Sequence, residues 1–241
     1  MFPLEPDEDG DGTFDEADGC PHIANARSAD RDDDGIPDDC DLDPDTAGEL
    51  KRFYSFHTSG VDFPTTTTGV ANRVAAGIEL GSPNGDENEA SIDLLIPTAA
   101  FDSYVEVGLT ILEHADPADA FVEIGVFTGH QSFEDSLQGD VCFLGRANDT
   151  PAEPNFLDVE TLGNATRSTF GGAFIGRPSR LKQIRFKNQV SCTATQGDDD
   201  VGVDRNAVTA NNGAITIATT RVKARIDYVW VVWRETRTSL P

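Results

Sequence analysis

Near the start of this 241-residue chain, carboxylates recur at fixed intervals twice over. Counting from Asp7, acids stand at positions 1, 3, 5, 9 and 12 (Asp7, Asp9, Asp11, Asp15, Asp18), with Gly12 at position 6. Counting from Asp30, the same positions hold Asp30, Asp32, Asp34, Asp38 and Asp41, with Gly35 at position 6. This is the ligand spacing of a calcium loop: three early side chains, a main-chain carbonyl at position 7, and a closing acid at 12. Glycine at 6 permits the positive φ that folds such a loop around its ion. Carboxylates held this close repel one another unless a hard dication neutralises them, and Ca²⁺ accepts six to eight oxygens in loose geometry. Mg²⁺ takes fewer protein oxygens and keeps its waters, so it fits less well. The competing reading is a solvated, unfolded acidic tail. A random tail does not repeat five spacings and a glycine.

The run Asp18-Gly19-Cys20-Pro21, then Asn25, then Asp30-x-Asp32-x-Asp34-Gly35-x-x-Asp38-x-Cys40-Asp41 resembles the thrombospondin type 3 repeat. The resemblance covers residues 5–46 and implies acidic loops wrapped around calcium, little regular secondary structure, and disulfide staples between repeats. It makes Asp7, Asp9, Asp11, Asp15 and Asp18 one ligand set and Asp30, Asp32, Asp34, Asp38 and Asp41 the other. Thr13 and Ile36 then supply main-chain carbonyls. Gly19 departs from the family's usual Asn and Ser28 from its frequent Gln; neither change removes a carboxylate. Cys20 and Cys40 stand at family positions, which implies a bridge closing about twenty residues, worth roughly 3 kcal/mol. Cys142 and Cys192 each lie in a strand-like run. They either form a second bridge, closing about fifty residues, or stay as buried thiols.

Composition separates the chain into two parts. Residues 1–49 carry eighteen Asp and Glu against Arg27 and Arg31, out of 43 acids and a formal net charge of -25 for the whole. With no basic stripe to release counterions from phosphates, nucleic acid is excluded as a partner. No apolar run is long enough to span a membrane as a helix. Met1-Phe2-Pro3-Leu4 lacks the basic start and apolar run of a signal peptide, so the sequence is expected to be a mature form. Paired cysteines and calcium loops both point to a secreted or cell-surface location.

The elements that must position the acidic loops begin after a linker at residues 47–50. From Lys51 onward, short apolar runs alternate with Gly, Pro, Asn and Asp. Strands are expected at 51–57, 70–80, 90–96, 103–113, 120–128, 140–145, 168–176, 181–192, 213–221 and 223–234. Within 103–113, Val105, Val107, Leu109 and Ile111 share one face opposite Glu106 and Thr110. Within 181–192, a register change near Gln183 is expected to bring Ile184 and Phe186 onto the face of Leu181. No stretch carries a helical moment over three turns. The fold class is therefore mostly β: an antiparallel, jelly-roll-like β-sandwich over 51–241, preceded by an irregular calcium-loop segment over 1–46. The last strand holds both tryptophans; it either anchors the core or presents Trp233 or Tyr228 as a binding platform.

No catalytic constellation is present. His22, His57, His114 and His130 join no two-His helical motif and no Gly-x-Ser-x-Gly turn, so the chain is read as a non-enzyme. The loops 85–89 and 197–204 are acidic. They read as solvated turns, with a further calcium site as the alternative. The sequon Asn164-Ala165-Thr166, and the weaker Asn148-Asp149-Thr150, matter only in a eukaryotic secretory pathway. The expectation is a calcium-stiffened spacer displaying an adhesion or carbohydrate-binding module, whose partner is an extracellular glycan or protein. The alternative is a structural subunit of a filament, surface layer or matrix that contacts further copies of itself through calcium-dependent contacts. A polysaccharide-active enzyme is the remaining class.

Overall fold

The computed structural model describes residues 7–24, 29–56, 66–83, 89–94, 101–115, 122–130, 139–146, 155–161, 164–206 and 214–235. Within them the chain forms fifteen strands and no helix. In order these are β1 (Leu50–Ser55), β2 (Thr66–Thr68), β3 (Ala71–Val74), β4 (Gly77–Leu80), β5 (Glu89–Leu94), β6 (Phe101–His114), β7 (Val122–His130), β8 (Asp140–Arg146), β9 (Asn155–Thr161), β10 (Asn164–Thr169), β11 (Pro178–Phe186), β12 (Gln189–Gln196), β13 (Asp199–Asn206), β14 (Ala214–Thr220) and β15 (Val222–Glu235).

Two antiparallel sheets face each other, as the alternation of apolar residues demands. The first has the order β13-β12-β11-β6-β15-β4-β3, with β1 also on β15; the second has the order β10-β9-β8-β7-β14-β5-β2. Strand β15 pairs with β6 along one edge. Its other edge is shared between β4, opposite Ala224–Ile226, and β1, opposite Tyr228–Trp233. It is thus a central strand, and both of its faces are buried. Val229, Val231 and Trp233 face the main core between the sheets, while Tyr228, Trp230 and Val232 are buried on the far side. Trp233 and Tyr228 are therefore not exposed platforms.

Cys142 on β8 and Cys192 on β12 are bonded, with Cα atoms 5.6 Å apart, so the second pair is a staple between the two sheets. Beside it lies a buried polar tie. Gln183 Nε2 donates to the Asp140 carbonyl at 3.0 Å, and Arg185 Nε donates to Asp140 Oδ2 at 2.8 Å. These bonds place Gln183 and Arg185 on the inner face of β11, in the same alternation as Leu181. The pairing of β11 with β6 and with β12 is continuous. The expected register change near Gln183 does not occur, and Ile184 and Phe186 point outward. They do so because the outer face of this sheet is itself covered by apolar groups.

Other expectations divide. The 70–80 run is a hairpin, β3 and β4, turning at residues 75–76. The 181–192 run is also a hairpin, with Lys187 at φ 57° in its turn. Only the first residues of 168–176 are strand; β10 ends at Thr169. Strands β2, β9 and β13 were not foreseen. Strand β13 replaces the acidic loop expected at 197–204: Gly197 turns the chain at φ 60°, and Asp199, Asp200 and Asp204 lie exposed along a sheet edge. Residues 85–88 of the other acidic loop, His57 and the Asn148 sequon lie outside the described residues.

Replacing Cys142 and Cys192 together with Ala should remove about 4 kcal/mol of stability, from the fifty-residue separation they close. Urea unfolding of oxidised wild type against the double variant measures it. A loss under 1 kcal/mol would mean that the bridge constrains little.

Candidate functional site

Each acidic loop is built by its own carboxylates, because Asp side chains bond main-chain N–H groups a few residues on and so fold an irregular chain. In the first loop Asp7 Oδ2 accepts from Gly12 N (3.1 Å), Asp9 Oδ1 from Asp11 N (3.0 Å) and Asp11 Oδ1 from Thr13 N (2.8 Å). Asp15 Oδ1 accepts from Glu8 N and Asp18 Oδ1 from Cys20 N, both at 2.8 Å. In the second loop the equivalent bonds recur. Asp30 Oδ2 accepts from Gly35 N (3.0 Å), Asp32 Oδ1 from Asp34 N (3.3 Å) and Asp34 Oδ1 from Ile36 N (3.0 Å). Asp38 Oδ1 accepts from Arg31 N and Asp41 Oδ1 from Asp43 N, both at 3.1 Å. Gly12 and Gly35 hold φ of 94° and 86°, as the sixth position requires.

This frame turns the first three acids of each loop toward one point. Carboxylate oxygens of Asp7, Asp9 and Asp11 lie within 4.8 Å of one another, and so do those of Asp30, Asp32 and Asp34. The other expected ligands are not in these tight groups. Asp18 and Asp41 nonetheless each keep one buried oxygen without a hydrogen-bond donor, as do Asp9, Asp30 and Asp32. Lost hydration, then the neighbouring carboxylates, raise the pKa of Asp9, Asp18, Asp32 and Asp41. Asp38 differs: both of its oxygens are engaged by Arg31, with Nε to Oδ2 at 2.8 Å. In calcium loops an acid at the ninth position commonly reaches the ion through water. Oxygen-only donors, orphaned and crowded, fit a hard dication.

The loops do not project from the sandwich. Cys20 and Cys40 are bonded, with Cα atoms 5.9 Å apart, and the bridge packs with Ile36 and Leu42 on Tyr104, Trp230 and Val232 of the outer sheet face. Ile23, Phe53, Ile184 and Phe186 rim this second core. Trp230 Nε1 donates to the Cys40 carbonyl at 3.2 Å, and Arg234 Nη1 to Asp43 Oδ2 at 3.1 Å. Gly19 sits where a Cβ would come within 2.5 Å of the Pro37 ring, so the small residue lets the two loops close. Asn25 and Ser28 lie outside the described residues.

Under this segment His22 is enclosed between Tyr228 and Trp230, with ring centroids 5.5 and 5.3 Å away. Neither of its nitrogens has a hydrogen-bond partner, and the Glu106 carboxylate is 3.7 Å from Nε2. Glu106 is held by the Tyr104 and Tyr228 hydroxyls, both at 2.9 Å, with Arg180 at 3.7 Å. Burial first, then Glu106, pushes both phenols' pKa upward, so they remain donors. Gly108 lets the Tyr228 ring lie across β6; a Cβ there would be 2.2 Å from it. A cleft of about 400 Å³ opens beside this cluster, lined by Glu8, Arg180, Thr195 and Asp227 among others. Neither His22 nor Glu106 was singled out from sequence as a site residue. The one signal was an acid on a strand face expected to be polar.

No protein-family model matches the sequence, and no curated protein matches it. Solved structures do. The Lotus tetragonolobus seed lectin is similar with a TM-score of 0.60 at 7% identity, over 77% of this chain and 100% of that one. Lectin II from Ulex europaeus gives 0.56 at 5%, over 77% and 98%. The exoplasmic/lumenal domain of VIP36 in its Ca²⁺/Man2-bound form gives 0.55 at 14%, over 73% and 83%. The sandwich has the legume-lectin fold. At these identities the likeness establishes architecture and nothing finer.

Burial lowers the His22 pKa to about 4, against 6.5 in an exposed chain. The neutral ring therefore stabilises the fold fully above pH 6.5, and that stability is lost as pH falls from 6.5 toward 4. At pH 5 the loss is about 2 kcal/mol. Glu8 and Glu49, raised to about 7 by burial, act with the opposite sign in the ion-free protein, so the variant comparison isolates the imidazole. His22→Phe should flatten the decline between pH 7 and 5 in denaturant titrations relative to wild type. Identical slopes would show that the ring does not titrate with folding.

Proposed function

We propose that this chain is a secreted, calcium-binding recognition module whose ligand is an extracellular glycan. The glycan reading rests on the lectin-type sandwich, whose similar structures are lectins rather than enzymes. The calcium reading rests on one observation: two loops repeat the same set of Asp-to-backbone bonds around converging carboxylates with orphaned oxygens. On this reading the acidic segment is a thrombospondin type 3-like pair of loops. Asp7, Asp9, Asp11 and Asp18 hold one ion, with Asp15 and the Thr13 carbonyl. Asp30, Asp32, Asp34 and Asp41 hold the other, with the Ile36 carbonyl and with Asp38 acting through water. Calcium supplies charge neutralisation, nothing redox or catalytic.

The segment acts as a brace rather than a spacer, because it lies on the outer face of the first sheet. Recognition then falls to the other sheet. Its outward rows follow from the pairing: Ser91, Ala218, Gly125, Phe143, Asp158 and Arg167 in one, and Asp93, Thr216, Phe127, Val141 and Glu160 in the next. Of these Asp93, Phe143, Glu160 and Arg167 are accessible and the others are buried. Aromatic rings beside carboxylates and a guanidinium are the groups that stack on and hydrogen-bond a sugar. The Arg167 guanidinium lies 3.6 Å from the Phe156 ring centroid and is paired with Asp158 at 2.7 Å.

Two measurements test the two halves. Calorimetric titration should count two calcium ions per chain, and Asp11→Ala or Asp34→Ala should each remove one. Unchanged stoichiometry in both variants would sink the ligand assignment. On a glycan array, the calcium-loaded protein should bind a defined sugar class and lose most of that signal in chelator. Silence across the array, from folded protein, would remove the carbohydrate reading.

A further inference from the structure

Glu49 belongs to the stretch expected to be a simple linker, yet its side chain is wholly buried. One oxygen, Oε1, accepts from Arg234 Nη2 of β15. The other, Oε2, has no donor. The chain brings this group onto the second acidic loop: the Gly48 and Glu49 amides both donate to Asp34 Oδ2 at 3.3 Å, with Gly48 turning at φ 114°. The Glu49 carboxyl then lies beside that of Asp34, and Asp34 and Asp41 both act to raise its pKa. Asp41 Oδ2 is likewise buried without a donor.

Facing carboxylates, that of Glu49 wholly buried and that of Asp34 half-buried, repel one another and favour a positive charge between them. Arg234 does not fill that place, because it holds Oε1 and is shared with Asp43 and the Thr46 carbonyl. Lys51, an exposed side chain, donates to the Gly35 carbonyl, and its charge acts on Asp34, Asp30 and Asp18, not on Glu49. The orphaned oxygen of a fully buried side chain, arriving from outside the repeat, thus belongs to a carboxylate beside Asp34, whose own carboxylate converges with those of Asp30 and Asp32.

We propose that Glu49 is a ligand of the cation held by the second loop, through Oε2. This rests on the calcium reading above and extends it beyond the repeated spacing. It also makes the two sites unequal. Asp34 and Glu49 are fifteen residues apart, and fifteen residues after Asp11 stands Ala26, which has no carboxylate. The second site thereby gains a ligand whose main chain runs directly into β1 and whose carboxylate is tethered to β15. Occupancy there is tied to the sandwich edge in a way the first site is not.

The test is calcium titration of the full chain by calorimetry, for wild type, Glu49→Gln, Glu49→Asp and the control Glu16→Gln. Glu16 is exposed and stands at no ligand position. Gln keeps an oxygen for Arg234 but removes the charge; Asp keeps the charge but withdraws it by one methylene. Both should weaken one of two sites about tenfold or more and leave the other unchanged, since ligand charge and reach set calcium affinity. Glu16→Gln should match wild type. Circular dichroism at saturating calcium confirms that each variant is folded; if one is not, the other carries the comparison. Wild-type affinities at both sites in a folded Glu49 variant would overturn the assignment of Glu49 while leaving the calcium loops standing. A wild-type chain that takes up no calcium would overturn both.

Discussion

A tryptophan buried on the wrong side of a sheet holds this molecule together. Trp230 points away from the main core, and its ring is closed over by the Cys20–Cys40 bridge, Ile36 and Leu42 while its N–H bonds the Cys40 carbonyl. Burying side chains such as Ile36 and Leu42 favours docking by roughly 1.5–3 kcal/mol each. The same segment carries the carboxylates, and each close like-charged pair in its first loop opposes folding by about 1 kcal/mol even with water-like screening. Several such pairs are comparable with the whole apolar gain. Disulfide, apolar contact and charge neutralisation must therefore act together, and on the calcium reading the ions are what allow an acidic chain without helix or strand to stay seated on the sheet.

That second apolar surface explains which parts of the fold were legible in the sequence. β6 read correctly because its outer row is polar or small even though it too is covered: Val105, Val107, Leu109 and Ile111 share the inner face, opposite Glu106, Gly108 and Thr110. β11 misled because both of its faces have apolar neighbours. Ile184 and Phe186 face the acidic segment, while Gln183 and Arg185 turn inward to the Asp140 end of the sandwich. Alternation alone cannot say which apolar face is the core when two exist. Tight turns were hidden for another reason. Runs such as 181–192 lack glycine at the turn, where Lys187 takes the left-handed conformation that glycine usually marks.

The convergence of the first three acids in each loop was legible, because their spacing is local and their bonds run between neighbours a few positions apart. Glu49, His22 and Glu106 were not, since their partners lie far along the chain: Arg234 on β15 for the first, Tyr228 and Trp230 for the second, and Tyr228 again for the third. A glutamate in a linker has no local signature of burial. Its meaning comes from β15 returning, nearly two hundred residues later, beside β1.

The covering of one sheet also constrains where recognition can happen. The outer face of the first sheet is taken by the segment, and its β13 edge carries Asp199, Asp200 and Asp204 in exposed positions. Inward pairing with another strand there would bring those carboxylates against a neighbour, which is how natural edges resist docking. A filament built through that edge would have to neutralise them first. On the second sheet Gly125 and Gly145 lie beneath the Phe143 and Phe156 rings, letting aromatic side chains lie flat across it. Asp93, Phe143, Glu160 and Arg167 are accessible there, while Phe127, Val141, Asp158 and Thr216 are buried. On the proposed reading, brace and recognition surface occupy opposite faces of one sandwich, whose sheets are joined by the Cys142–Cys192 bridge and the Arg185–Asp140 pair.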